Sequence, residues 1–223
     1  MINLLIAITG IAFFLLLGEL LWKKKILKGE YARKFVHITS ATFVATWPLF
    51  LSQIEIAIIS VMFIVALVVT KKTKLFRSLR SVRRATYGEI WYALGIGISA
   101  ILFSDGAVFT VAVLTMALAD GFAAVVGVSM KKNAGKFKIN GHQKSFAGTL
   151  TFIVISFFIN FIYWLIHASG NLPPSLDNIV FISMLSFGAA SILGLAELLS
   201  PKGSDNIIVP VMAGLLVTLP TLF

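Results

Sequence analysis

The chain has 223 residues, 58% of them hydrophobic, with a mean hydropathy of +0.96. Its apolar runs are long enough to cross a bilayer core of about 30 Å at about 1.5 Å per residue, which excludes an ordinary soluble domain. The absence of cysteine removes disulfides, thiolate metal sites and thiol nucleophiles, so any catalysis rests on carboxylates, Lys, Arg, His and hydroxyls.

The sequence predicts an all-α, polytopic transmembrane helical bundle with about eight spans, near 2–22, 35–51, 54–70, 90–104, 107–129, 149–168, 179–199 and 207–223. Residues 1–223 read as a single integral-membrane domain without internal repeats. The first run, INLLIAITGIAFFLLLGELLW, is too long for a signal-peptide core and ends in KKK rather than at a small-residue cleavage site, so it is read as a span.

The net charge of +10 is sorted by side. The connections at 23–34, 71–89, 131–148 and 200–206 carry all 19 Lys and Arg residues, and the alternate connections carry none. Under the positive-inside rule the basic connections are cytoplasmic and both termini lie outside. Attraction to anionic headgroups then accounts for most of this charge, and nucleic acid is not an expected partner.

Along the chain, polar clusters recur on the basic side. At the start of the second span, YARKFVHI (31–38) places Arg33 and His37 at i, i+4 and Lys34 and His37 at i, i+3, on one helical face. The fourth span is short. The fifth ends in LADGFAAVVG (118–127), where Asp120-Gly121 is expected either to end the spanning helix or to begin a partly re-entrant segment. The small residues Ala117, Gly121, Ala124 and Gly127 form a small-xxx-small stripe suited to close helix packing.

GHQKSFAGT (141–149) then puts Lys144 and Ser145 at the start of the sixth span, where helix-terminal N–H groups beside a lysine suit phosphate. The last cluster, AELLSPKGSDNIIVP (196–210), packs Glu197, Ser200, Lys202, Asp205 and Asn206 around a Pro201–Gly203 turn, with Ser204-Asp205-Asn206 expected to cap the final span.

Of the nine acidic residues, Glu55, Asp105 and Asp177 fall on the outer side, where interfacial water accounts for them. Asp120 and Glu197 fall within spans, where an ionisable group costs about 2.5–3.5 kcal/mol on insertion scales and marks a functional candidate. Carboxylates that gather on one side can hold Mg²⁺ through oxygen, with the ion bridging nucleotide phosphates while Arg and Lys neutralise the transferred group. Asp120 is accordingly expected to be a metal ligand or a base.

The ordered set RKFVH (33–37), YGEIWY (87–92), ADGFAAVVG (119–127), KSFAGT (144–149) and AELLSPKGSDNIIVP (196–210) resembles the phytol kinase and dolichol kinase family. These are polytopic enzymes that phosphorylate long-chain isoprenoid alcohols, typically with CTP, and they are similar in part to phosphatidate cytidylyltransferases. The resemblance implies a CTP-dependent lipid-alcohol kinase with Mg²⁺ as cofactor and its site facing the cytoplasm. Asp120, Glu197 and Asp205 are then expected at the metal. Asp120, His37 and Lys144 are expected in catalysis. Arg33, Lys34, Lys144, Ser145, Gly148, Ser200, Gly203 and Asn206 are expected around the nucleotide and its phosphates.

The family often has a second acidic or polar residue just after the aspartate, where this chain has Phe122, Ala123 and Ala124. The second carboxylate is therefore expected from Glu197 or Asp205. The lipid chain is expected between helices, open to the bilayer, and a homo-oligomer is left open. Two rival readings remain: a cytidylyltransferase joining CMP to a lipid phosphate, and a transporter using Asp120 and Glu197 as a proton or cation relay.

Overall fold

The computed structural model describes residues 2–73, 88–130, 135–139, 142–168, 176–201 and 203–219. Among them the helices are α1 (Ile2–Lys23), α2 (Glu30–Val44), α3 (Gln53–Thr73), α4 (Gly88–Leu102), α5 (Gly106–Leu114), α6 (Gly121–Ser129), α7 (Phe146–Ala168), α8 (Leu176–Leu199) and α9 (Asp205–Thr218). A π-helical turn, Thr115–Asp120, joins α5 to α6, making one 24-residue apolar helix from Gly106 to Ser129. That helix, α1, α7 and α8 are each long and apolar enough to cross a membrane, while most of α3 and all of α4 and α9 are shorter apolar helices. In hydrocarbon every backbone N–H must find its acceptor within the segment, which is why runs as rich in Val, Ile and Phe as these are helical.

The Gly106–Ser129 helix is the centre of the bundle, packed by α2, α4, α7 and α9. Its α5 half presents Phe109, Ala112 and Val113 and its π turn Met116 and Ala117, all with little or no exposure. Around this centre α1 packs on α2, α3 on α4, and α8 on α7 and α9. The outward faces carry exposed Phe158, Ile162 and Ile166 on α7 and Phe181, Met184 and Phe187 on α8, an apolar surface far too extensive for water and suited to lipid.

Several boundaries differ from the sequence reading. The helix expected as the second span begins five residues earlier, at Glu30, and stops at Val44, short of the length and apolarity needed to cross a membrane; Pro48 lacks an N–H and disfavours α geometry at Trp47, so the chain turns through a short 3₁₀ segment, Trp47–Leu49, instead of continuing to 51. The helix does not break at Asp120-Gly121. It widens to a π turn and runs on to Ser129. The 131–148 connection, expected to be irregular, holds an antiparallel hairpin, β1 (Lys136–Ile139) with β2 (His142–Ser145), Lys136 opposite Ser145.

Much of the basic connection expected at 71–89 lies outside the described residues, as do Lys131, Lys132 and Lys202. Two of the acidic residues expected on the outer side have local structural work. Asp105 caps α5 by accepting from the Ala107 N–H at 2.8 Å, and Glu55 accepts from the Ser52 N–H at 2.8 Å at the start of α3.

Candidate functional site: a three-carboxylate centre

Three elements bring the acids together. Asp120 is the last residue of the π turn, Glu197 lies two residues before the end of α8, and Asp205 opens α9. One carboxylate oxygen from each lies within 4.8 Å of the others, with Asp120 and Glu197 buried and Asp205 half-buried. A π turn adds one residue to the helical circuit and so rotates everything beyond it, and such turns gather at functional sites. Here it delivers Asp120 to the side of the central helix that faces α2 and α9.

Two lysines balance the charge. Lys34 on α2, itself buried, donates to the Asp120 carboxylate. Lys144, on β2 of the hairpin, donates to the Glu197 carboxylate and also to its carbonyl at 2.9 Å. Carboxylates taken this far from water are tolerated only with a cation or a hydrogen-bond donor against them. The hairpin supplies one such cation, reaching over the end of α8.

His37 stands one turn beyond Arg33 on α2. Its Nε2 lies 3.5 Å from Asp120 Oδ2 and 3.0 Å from the Met116 carbonyl. A carbonyl can only accept, so Nε2 carries the hydrogen and His37 is a donor towards the Asp120 side of the site. The imidazole ring lies 5.0 Å from the Tyr92 ring, and the Tyr92 hydroxyl is 2.9 Å from Ser40 Oγ.

The remaining expected residues divide. Arg33 shares the predicted face with His37 but pairs with Glu30, so the cation on Asp120 is the neighbouring lysine. Ser145 accepts from the Gly148 N–H at 3.1 Å and caps α7, while Gly148 lets α7 approach α6: a Cβ there would lie 2.9 Å from the Ala123 carbonyl. Ser200 bonds back to the Ala196 carbonyl at 2.6 Å. Gly203 takes φ 86°, a conformation L side chains rarely adopt, and turns the chain into α9.

The capping expected of Ser204-Asp205-Asn206 is not made by side chains in that form. Ser204 Oγ has no partner among the described residues, and Asp205 accepts from the adjacent Asn206 N–H at 3.0 Å. Asn206 is buried, donates through Nδ2 to the Gly88 carbonyl at 3.1 Å, and leaves its Oδ1 without a partner among the described residues.

Close backbone approach holds α9 in place. Pro210 cannot donate to the Asn206 carbonyl, four residues earlier. Gly95 of α4 lies against that carbonyl so closely that a Cβ would be 2.0 Å from it. On the central helix the small-residue stripe does the same work: a Cβ at Gly121 would lie 2.3 Å from Ile38 of α2, and one at Gly127 2.7 Å from Ser145 Oγ.

Beside the centre lies a cavity of about 50 Å³ whose lining includes Arg33, His37, Ser40, Tyr92, Glu89 and Asn206. Tyr92 and Ser40 were not singled out from sequence. Tyr92 lies in the apolar α4 and Ser40 on the buried face of α2, and their mutual hydrogen bond sets them apart from ordinary packing residues.

A phytol kinase from Synechocystis sp. is 31% identical over 215 residues, covering 95% of this chain and 88% of its own length. Phytol kinase 1, chloroplastic, from Arabidopsis thaliana is 26% identical over 225 residues, covering 92% of this chain and 71% of its own. No protein-family model and no solved structure matches. At this identity over nearly its full length, the chain belongs to the phytol and dolichol kinase family.

Proposed function

We propose that this protein transfers the γ-phosphoryl group of CTP, as its Mg²⁺ complex, to the hydroxyl of a membrane lipid alcohol such as phytol, a polyprenol or dolichol, at a site facing the cytoplasm. The observation that carries this reading is the meeting of Asp120, Glu197 and Asp205 from three separate helices, within 4.8 Å, between two lysines. The names of the relatives supply the substrate class.

The donor set fits the cofactor. Three carboxylates offer the hard oxygen ligands Mg²⁺ takes, and the unpartnered Asn206 Oδ1 adds an oxygen nearby in sequence and on the same helix. Bound there, Mg²⁺ would neutralise charge on the nucleotide phosphates and hold them in place. Lys34 and Lys144 lie against Asp120 and Glu197, where two ammonium groups would also stand within reach of phosphate oxygens held at the same centre.

In the reaction the alcohol oxygen forms a bond to the γ-phosphorus as the bond to the bridging β–γ oxygen breaks, CDP leaves, and the hydroxyl proton passes to a base. Asp120 is the better acceptor: His37 Nε2 already carries a hydrogen directed at the Met116 carbonyl, so His37 orients the site as a donor. The rest of the catalysis is positioning and charge neutralisation.

Purified protein given CTP labelled at the γ position should label phytol in vesicles. Incorporation from the α position instead would make the chain a cytidylyltransferase and overturn the kinase reading.

A further inference from the structure

A second cavity lies behind the polar one. It has a volume of about 250 Å³ and is enclosed by α1, α2, α3 and α4, its lining almost wholly apolar: Ile8, Ile11, Val44, Ile59, Phe63 and Ile96 among others. The two cavities share Leu15, Ser40, Phe63 and Tyr92. They therefore meet at the Ser40–Tyr92 hydroxyl pair, directly beside His37.

The far end of the apolar chamber is closed by Trp47, which is buried. From His37 to Val44 α2 advances seven residues, about 10 Å at helical rise, before the chain turns at Trp47, a large part of the depth of one leaflet of a core about 30 Å thick. Its side is open. Ala12 on α1 and Ala66 on α3 both line the chamber and are exposed, as is Met62, so the gap between α1 and α3 faces the lipid.

We infer that this chamber holds the hydrocarbon chain of the alcohol, entering laterally between α1 and α3, with its hydroxyl at the Ser40–Tyr92 junction and its far end towards Trp47. The inference rests on the lipid-alcohol reading above and adds to it a path, an orientation and a length. Apolar walls open to the bilayer on one side offer a hydrocarbon chain packing contacts along its length. The orientation also agrees with the membrane: a lipid alcohol in the leaflet beside the carboxylate centre already has its hydroxyl towards that face and its tail towards the midplane.

The test uses the full-length protein in vesicles with a twenty-carbon isoprenoid alcohol carrying a diazirine at its chain end. Photolysis should label α1, α3 or Trp47, and excess phytol should compete. Ala12→Phe and Ala66→Phe enlarge exposed side chains, so they narrow the chamber without crowding a packed core. Each should reduce labelling and raise the KM for phytol by about tenfold, the equivalent of excluding two methylenes, while leaving phosphorylation of a five-carbon prenyl alcohol unchanged.

Ile192→Phe, on the exposed face of α8, should change none of these. Labelling confined to α7 and α8, or equal effects of all three substitutions, would overturn the chamber. Labelling in the chamber without phosphorylation of any alcohol by the unaltered protein would leave the chamber standing and remove the kinase reading instead.

Discussion

Lys34 and Asp120, 86 residues apart in the chain, form a buried ion pair between α2 and the end of the π turn. Each is there because of the other, since neither charge is tolerable alone at that depth. The pairing also sets a clear experiment.

Asp120→Asn should reduce γ-phosphoryl transfer by about 10²-fold or more, the contribution expected of a catalytic base. It should also destabilise the protein by about 3 kcal/mol, because it strands the Lys34 ammonium. Lys34→Met combined with Asp120→Asn removes both charges and should recover most of that stability without activity. Thermal unfolding in detergent and labelled-CTP turnover, measured on the single and double variants, separate the two effects. Activity retained in Asp120→Asn would remove this residue from the mechanism.

The metal dependence should follow the three acids. Chelation with EDTA should abolish turnover and added Mg²⁺ should restore it. Glu197→Gln and Asp205→Asn should each raise the Mg²⁺ concentration needed for half-maximal rate by more than the 10–100-fold typical of outer-shell changes. A variant with unchanged Mg²⁺ dependence would show that its residue is not a ligand.

Lys144 reaches Glu197 from the hairpin, through both the carboxylate and the carbonyl. Lys144→Met should raise the KM for CTP and leave that for the alcohol unchanged. Arginine should rescue poorly, because its planar fork cannot reproduce an ammonium that meets two oxygens at one point. Steady-state kinetics with each substrate varied in turn provide the check.

Gly95 has no chemistry of its own, yet the α4 backbone rests on the Asn206 carbonyl there. Gly95→Ala should force α4 and α9 apart, costing about 1–3 kcal/mol by overpacking. Because Asp205 and Asn206 sit at the displaced end of α9, activity should fall more steeply than stability. A parallel loss of both would mean that the contact serves only the fold.

The absence of native cysteine permits a direct test of orientation. Lys28→Cys, in the connection between α1 and α2, should react with an impermeant maleimide only when the cytoplasmic face is accessible. Ser52→Cys, between α2 and α3, should react only from the opposite face. The reverse pattern would invert the topology drawn from the basic residues.

The sequence by itself determined the helical class, the membrane character and the identity of the three acids, because apolar length and the cost of a charge in hydrocarbon are local properties readable one segment at a time. It also carried the family, through the ordered motifs from RKFVH to AELLSPKGSDNIIVP. It did not carry the π turn at Thr115–Asp120, since no residue type announces an extra backbone residue in a helical turn; the hairpin strands 136–139 and 142–145 are four residues each and rich in Lys, too short and polar to stand out by alternation. Tertiary structure alone decided that Lys34 rather than Arg33 meets Asp120, that Ser145 and Ser200 satisfy their own helices, and that Tyr92 meets Ser40 where the polar and apolar cavities join. Those are choices between chemically similar neighbours, made by which side of a helix faces which partner, and a one-residue rotation is enough to reverse them.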